Sequence, residues 1–91
     1  MPDLKTVLAP NPACPVREVG DGFVIMAAEG ETTHSLDGLG GFIWKRLDGR
    51  RDLAAVLAEI VAEYDVAADV AQTDLLEFAA ALVAAGIAVE G

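Results

Sequence analysis

The chain has ninety-one residues, enough for one small domain and near the lower end of what folds without disulfides or a partner. Fifteen acidic residues against six basic ones give a formal net charge of -9. This charge argues against nucleic-acid binding, because Lys and Arg supply most of the affinity for phosphate. Hydrophobic residues make up 54% of the chain, which suffices for a core and leaves apolar surface for a partner or a second copy.

Residues that could carry out catalysis or hold a metal are scarce. The chain has one cysteine, Cys14, and one histidine, His34, so neither a disulfide, a metal-ligand set nor a nucleophile–base pair is indicated. No apolar run approaches the roughly 18 residues that span a bilayer, and the N-terminus lacks a signal-peptide pattern. We therefore expect a non-catalytic cytoplasmic domain that needs no cofactor or metal and binds no membrane.

All four prolines lie near the N-terminus, at positions 2, 10, 12 and 15. Because proline lacks a backbone N–H and has a fixed φ, we predict that residues 1–15 form a weakly ordered arm. The arm is either a frayed terminus or a segment that lies over a neighbouring subunit. The folded domain is predicted to span residues 16–91.

Three short strands with tight turns are predicted after the arm. Residues 16–19 can form a strand, and the continuous apolar run at residues 23–28 is typical of a central strand. A turn at residues 29–31 leads to residues 32–36, which are polar along their length and suit an edge strand. We expect an antiparallel meander of these three strands.

Three helices are predicted to follow the sheet. Asp37 is placed to cap the first helix with its carboxylate, and the second helix begins at Asp52. The third helix runs from about residue 68 to 85 and ends at Gly86, which suits a left-handed position. The fold class is therefore α+β. The buried face of the second helix is expected to contain Leu53, Val56, Leu57, Ile60 and Tyr64.

The third helix has an apolar face that is broader than a core stripe requires. Leu76 and Val83 lie on a flank beside the inward-facing residues, and either a second buried contact or a functional groove explains this. Residues 87–89 are expected to continue as a short extended tail. The inward-facing residues of the third helix are Ala71, Leu75, Phe78, Ala79 and Leu82.

Most of the basic residues are clustered. This cluster is either a solvated helix end with its loop or a docking patch for an acidic partner. Glu59 and Glu63 lie off the buried face of the second helix, so we expect Glu59 to be exposed and Glu59→Gln to leave binding of a partner within about 0.5 kcal/mol of the unmodified protein. The clustered basic residues are Lys45, Arg46, Arg50 and Arg51.

Taken in order, these segments resemble PqqD-like proteins. The Leu-Asn, Ala-x-Ile-Trp and Leu-Asp-Gly motifs of that family are similar to His34-Ser35-Leu36-Asp37, Gly41-Phe42-Ile43-Trp44 and Leu47-Asp48-Gly49. The similarity covers roughly residues 16–89. Two departures are Ala67, where an Asp or Asn cap is common, and Gly40-Gly41 in place of Gly-Ala. The similarity continues through Ile60, Glu63, Tyr64, Asp65, Val66, Asp74, Leu75, Leu76, Glu77, Phe78, Leu82, Gly86 and Ile87.

The resemblance implies a winged helix-turn-helix domain that binds the leader of a ribosomally made precursor peptide (a RiPP recognition element). It further implies that the domain presents this peptide to a modifying enzyme, often a radical SAM maturase. In that family the leader adds as a strand to the third β-strand, against the third helix. The resemblance thereby places the peptide-binding site on Thr32, Thr33, His34, Ser35, Leu36, Asp74, Leu75, Leu76, Phe78, Ala79, Leu82 and Val83.

Two other functions are compatible with the same fold class. A winged-helix transcription factor would need basic residues on its recognition helix, yet residues 52–91 contain no Lys or Arg. A structural dimerisation domain would bury the broad face of the third helix between two copies. Fold alone does not separate these functions, and a homodimer is left open.

Overall fold

The computed structural model describes residues 2–28 and 30–91, which contain five strands and three helices. In chain order the elements are β1 (Leu8–Pro10), β2 (Val16–Val19), β3 (Gly22–Met26), β4 (Thr33–Leu36), α1 (Gly38–Arg46), α2 (Leu53–Glu63), α3 (Ala68–Ala84) and β5 (Ala88–Glu90).

Strands β2, β3 and β4 form an antiparallel sheet in that order, so β3 is central and β4 lies at an edge. The predicted meander followed by three helices, and with it the α+β fold class, is confirmed. Gly20 and Gly30 have φ values of +61° and +80°, which suit the two turns because glycine has no Cβ to clash there. Of the turn predicted at residues 29–31, Glu29 lies outside the described residues.

The segment preceding β2 is part of the fold, in contrast to the weakly ordered arm that its prolines led us to predict. β1 pairs antiparallel with β5 in a second, two-stranded sheet, with Leu8 opposite Glu90. Leu8 is fully buried in the core. Pro10 is the last residue of β1, where a missing N–H donor is tolerated. The prolines therefore limit the length of this strand without preventing it.

Backbone carbonyls of the same segment also satisfy the start of α2. The N–H of Leu53 donates to the carbonyl of Thr6, and the N–H of Ala54 donates to the carbonyl of Leu4, both at 2.9 Å. The first amides of a helix have no partner within the helix, so these two bonds replace the missing ones. The N-terminal segment thus stabilises both the second sheet and α2.

The starts of α2 and α1 are capped differently. The Asp52 carboxylate caps α2, because it accepts from the N–H of Ala55 at 2.9 Å. The prediction for Asp37 was wrong, because its side chain makes no capping bond and its carbonyl oxygen instead accepts from the N–H of Gly41 at 3.2 Å. The physical reason is Gly38, whose φ of +52° interrupts the regular first turn that a side-chain cap requires.

The N-terminus of helix α3 lacks a side-chain cap, whereas backbone hydrogen bonds close its C-terminus. Its N-cap residue, Ala67, makes no side-chain bond to the first turn. At the other end Gly86, with φ +76°, donates its N–H to the carbonyl of Val83 at 3.0 Å. The N–H of Ile87 donates to the carbonyl of Leu82 at 3.1 Å. These two bonds form a Schellman motif, so the predicted helix end at Gly86 is confirmed.

One hydrophobic core connects both sheets and all three helices. On the predicted α2 face, Leu53, Val56 and Ile60 are buried, whereas Tyr64 is 37% exposed and packs edge-on against Phe42. Within the described residues, no helix has the length and apolar character needed to cross a membrane. The core residues are Leu8, Cys14, Ile25, Ile43, Trp44, Leu47, Leu53, Val56, Ile60, Ala71, Leu75, Ala79, Leu82, Ile87 and Ala88.

Candidate functional site

The backbone of β3 bonds its two neighbouring strands with alternate residues. The N–H of Met26 donates to the carbonyl of Pro15, just before β2, at 2.9 Å. The N–H of Ala27 donates to the carbonyl of Thr32, just before β4, at 2.8 Å. Because bonding alternates along an antiparallel strand, Ile25 and Phe23 also direct their backbone groups toward β4.

This alternation fixes which backbone groups of β4 remain available at the edge of the sheet. His34 lies opposite Ile25 and Leu36 lies opposite Phe23, so these two residues bond β3. Thr33 and Ser35 therefore direct their N–H and carbonyl groups away from the sheet. The edge offers two donors and two acceptors in the spacing of an antiparallel ladder.

The side chains of β4 also alternate between the two faces of the sheet. His34 and Leu36 are half-buried on the face that carries the helices, and Thr33 and Ser35 are exposed on the other face. Thr32, predicted as the first strand residue, precedes β4 and is exposed. The structure thus brings four of the five predicted strand residues into one edge.

Phe78 is the α3 residue that the structure places next to the end of β4. A Cβ atom built on Gly40 of α1 would lie 3.4 Å from Phe78 Cζ and 3.9 Å from Leu36 Cβ. The half-buried ring of Phe78 therefore lies beside the junction of β4 and α1. Gly40 leaves room for this approach, as a residue without a side chain should.

Three of the predicted α3 site residues belong to the core instead of the surface. Leu75, Ala79 and Leu82 are 0%, 1% and 3% exposed, so a ligand could contact them only if α3 moved. Their spacing already marked them as an inward stripe in the sequence, which is the signal that separates them from surface residues.

The remaining predicted α3 residues lie on two different flanks. With 3.6 residues per turn, Asp74 lies about 40° from Phe78 around the helix, whereas Leu76 and Val83 lie about 160° and about 140° away. Asp74 is exposed one turn before Phe78. Since Phe78 lies beside Leu36, the flank with Leu76 and Val83 faces away from β4. We call the surface formed by Thr33–Leu36, Gly40, Asp74 and Phe78 the β4–α3 groove.

Acidic side chains lie in and around the groove. Asp37 follows β4 directly, and Asp74 and Glu77 are exposed on α3. The ion pairs found among the described residues all involve Arg46 or Arg51, which lie at the end of α1 and before α2. None of these three carboxylates is therefore paired with a base within that part of the chain.

Two of the four residues in the basic cluster, Arg46 and Arg51, have a structural role. Glu59 of α2 accepts from Arg46 Nε at 3.0 Å and from Arg51 Nη1 at 2.6 Å, so it joins both arginines to α2. The Arg46 guanidinium also lies 3.4 Å from the centroid of the Phe42 ring. Glu59 is therefore half-buried and ion-paired, whereas the sequence predicted an exposed position.

The loop between α1 and α2 is stabilised by Asp48. Its carboxylate accepts from the backbone N–H groups of Arg51 and Arg50, at 3.1 and 3.0 Å. These two bonds, with a smaller contribution from the Arg51 guanidinium, lower the pKa of Asp48 below its ordinary value of 3.8. Asp48 therefore stabilises this loop by accepting two backbone hydrogen bonds.

Two open depressions on the described residues lie away from Asp74 and Phe78. The larger, about 520 Å³, is on the outer face of the three-stranded sheet and is lined by Pro15, Val16, Arg17, Val19, Val24, Met26 and Thr33. The smaller, about 320 Å³, is lined by Asp21, Gly38, Gly41, Phe42, Lys45, Arg46 and Tyr64. In residues 2–28 and 30–91, no group of three or more His, Cys, Asp or Glu side chains could hold a metal ion.

Comparisons with known proteins agree with this arrangement. The family model for coenzyme PQQ synthesis protein D (PqqD) matches residues 22–88, which include β3, β4 and the three helices. The chain belongs to the PqqD family. The resemblance in the motifs from His34 to Gly49 is thereby confirmed.

A solved structure provides a second likeness for this PqqD-family chain. The structure of TbiB1 in complex with the TbiA(beta) leader peptide superposes with a TM-score of 0.80 and 25% sequence identity. The match covers 88% of this chain and 93% of TbiB1. No curated protein matches the chain.

Proposed function

We propose that this PqqD-family domain binds the leader of a ribosomally synthesised precursor peptide by β-strand addition. The observation that carries the proposal is the edge of β4, where Thr33 and Ser35 direct backbone donors and acceptors outward beside Phe78. An extended peptide can complete this ladder, because its own backbone carries the matching groups at the same spacing. TbiB1, which shares the fold, is described in complex with a leader peptide, and this supports the proposal.

The side chains of β4 alternate between the two faces of the sheet, and this specifies which side chains of the bound peptide would contact α3. Residues of the added strand opposite His34 and Leu36 would face α3, so one apolar side chain can pack between Leu36 and Phe78. Residues opposite Thr33 and Ser35 would face the other side of the sheet. Affinity would come from the backbone ladder, and specificity from the side chains that face α3.

The proposed role of the domain is recognition without catalysis. We propose that it presents the bound leader to a peptide-modifying enzyme, a radical SAM maturase as the family resemblance implies, in the cytoplasm. A buried thiol at Cys14 and a lone histidine at His34 support a role without a cofactor. We propose that residues 16–91 carry the peptide-binding function, and residues 2–15 stabilise the same fold through β1.

A proline substitution at the edge tests the mode of binding. Ser35→Pro removes one outward N–H donor and leaves the bonds of His34 and Leu36 to β3 in place, since proline is tolerated on edge strands. The ligands are synthetic leaders encoded by short reading frames beside the gene, titrated by calorimetry. We expect Ser35→Pro to weaken the binding leader at least about tenfold, which corresponds to about 1.4 kcal/mol.

Two controls accompany this titration. Glu63→Gln, an exposed change on α2, should leave the affinity for the leader within about twofold of that of the unmodified protein. Glu63 is chosen for this control because Glu59 bonds two arginines. Circular dichroism and thermal unfolding show whether Ser35→Pro is folded, and Thr33→Pro provides a second outward position. If a leader binds both folded proline variants as tightly as the unmodified protein, strand addition on β4 is wrong. Sedimentation of the free protein shows whether a homodimer occupies the edge instead.

A further inference from the structure

We infer that the peptide segment held in the β4–α3 groove is cationic, with Lys or Arg beside the apolar residue that packs on Phe78. The inference rests on the proposed function, because it assigns the chemistry of the ligand at that same site. Its basis is the negative charge on and around the α3 wall of the groove and the position of every basic residue in the chain.

The α3 wall of the groove carries Asp74, which lies one turn before Phe78 on the same flank. Two further carboxylates lie around the groove. Asp37 follows β4, with its Cβ beside Gly22 on the face away from Leu36, and Glu77 lies about 100° from Phe78 around α3. Within the described residues these three acids make no ion pair. A peptide strand laid between β4 and α3 would therefore enter a region of negative potential.

Basic residues are missing from the whole groove, as the sequence alone shows. Residues 18–44 and 52–91 contain no Lys or Arg, so neither β4 nor α3 has one. The nearest bases along the chain are Arg17 and Lys45. Arg17 lies opposite Val24 and lines the depression on the outer face of the sheet, and Lys45 Nζ lies 5.9 Å from the centroid of the Phe23 ring. An acidic ligand would thus meet no basic side chain on β4 or α3.

The geometry of a Lys or Arg side chain fits such a site. Its aliphatic stem can cover part of the Phe78 ring while its charged end reaches solvent near Asp74. An exposed ion pair changes affinity by about two- to fivefold, and a Glu in place of the base turns this attraction into a repulsion of similar size, so Asp74 distinguishes a basic from an acidic peptide by about tenfold. Backbone bonding to Thr33 and Ser35 is unchanged between the two peptides, so charge decides between them.

Selection from a random library tests the inference without knowledge of the natural leader. Dodecapeptides displayed on phage are selected for binding to the full chain. Only the peptides that lose binding to the Ser35→Pro variant are kept, because these depend on Ser35. We expect these peptides to be enriched in Lys and Arg. A synthetic peptide with its basic residues replaced by Glu should bind at least tenfold more weakly. Raising the salt concentration from about 50 mM to about 500 mM should weaken the basic peptide.

Variants of the protein separate local charge from net charge. Asp74→Asn should weaken the basic peptide about threefold and reduce its advantage over the Glu peptide. Glu63→Gln removes the same charge from α2 and should change neither. Equal effects of the two variants would overturn the inference, because net charge would then suffice.

The outcomes also separate this inference from the proposed function. Selected peptides that depend on Ser35 but are neutral or acidic overturn the cationic ligand and leave strand addition standing. Peptides that bind Ser35→Pro as well as the unmodified protein, or a selection that yields no peptide dependent on Ser35, overturn both.

Discussion

Phe78 of α3 lies against Gly40 of α1, with its Cζ atom 3.4 Å from where a Cβ of residue 40 would be. This contact fixes the rotation of α3 about its own axis. It directs the Phe78 flank toward the end of β4, and it directs Leu76 and Val83 to the opposite flank. The predictions below follow from this and from the contacts of the sheet and the N-terminal segment.

Truncating the two flanks of α3 should affect peptide binding differently. Phe78→Ala is expected to weaken a Ser35-dependent peptide at least about tenfold, because an apolar wall of the groove is lost. Leu76→Ala is the matched control, since Leu76 is also half-buried and its truncation costs stability without touching the groove. Calorimetry on both variants, with urea unfolding to compare their stabilities, checks this. Weaker binding only in Leu76→Ala would assign the site to the flank that the sequence suggested.

Hydrogen exchange should report the edge residue by residue. In the free protein the amides of His34 and Leu36 are expected to exchange slowly because they bond β3, and those of Thr33 and Ser35 should exchange quickly. Adding a bound peptide should protect Thr33 and Ser35 by at least about tenfold. NMR spectra recorded with and without peptide measure this. Uniform protection of all four amides would indicate a general stabilisation and no added strand.

Two glycines should respond oppositely to alanine. Gly41→Ala is expected to stabilise the domain by about 0.5–1 kcal/mol, because its Cβ would meet Asp21 O at an ordinary 3.5 Å and alanine favours helix. Gly22→Ala should destabilise by at least about 1 kcal/mol, because its Cβ would lie 2.6 Å from the carbonyl oxygen of Leu36. Urea unfolding of both variants gives the comparison. A stable Gly22→Ala protein would show that β3 and β4 can shift apart.

The N-terminal segment should contribute substantially to stability. Leu8→Ala is expected to cost about 2–4 kcal/mol, since Leu8 is fully buried and the change leaves a cavity. Lys5→Ala, an exposed change in the same segment, should stay within about 0.5 kcal/mol of the unmodified protein. Thermal and urea unfolding measure both. An unchanged unfolding midpoint for Leu8→Ala would support the weakly ordered arm that the prolines predicted.

Asp48 should make the domain sensitive to acid. Its pKa in the folded protein is lowered below 3.8, so its contribution to stability is present above that pH and is lost as pH falls through the folded pKa. Asp48→Asn keeps an acceptor for the amides of Arg50 and Arg51 but cannot titrate. We expect unfolding free energies of this variant to fall less steeply below about pH 4. If the unfolding free energies of the two proteins fall equally steeply with pH, Asp48 is not the source of the acid sensitivity.

Local patterns in the sequence determined the three-stranded meander, the three helices and the family. The apolar spacing of Leu53, Val56 and Ile60 predicted a buried helix face, and all three residues are buried. The polar run at residues 32–36 predicted the edge strand, and β4 lies at that edge. Such features depend on residues a few positions apart, which the sequence displays directly.

Only the tertiary structure decided the remaining relationships. The pairing of Leu8 with Glu90 joins the two ends of the chain, and no local pattern contains both partners. The rotation that sets Phe78 beside Leu36 depends on how α1, β4 and α3 pack, and helical periodicity gives only the relative angles of residues on one helix. Asp37 failed as a cap because Gly38 adopts a left-handed conformation, which glycine permits but does not impose, so the identities of these two residues did not determine it.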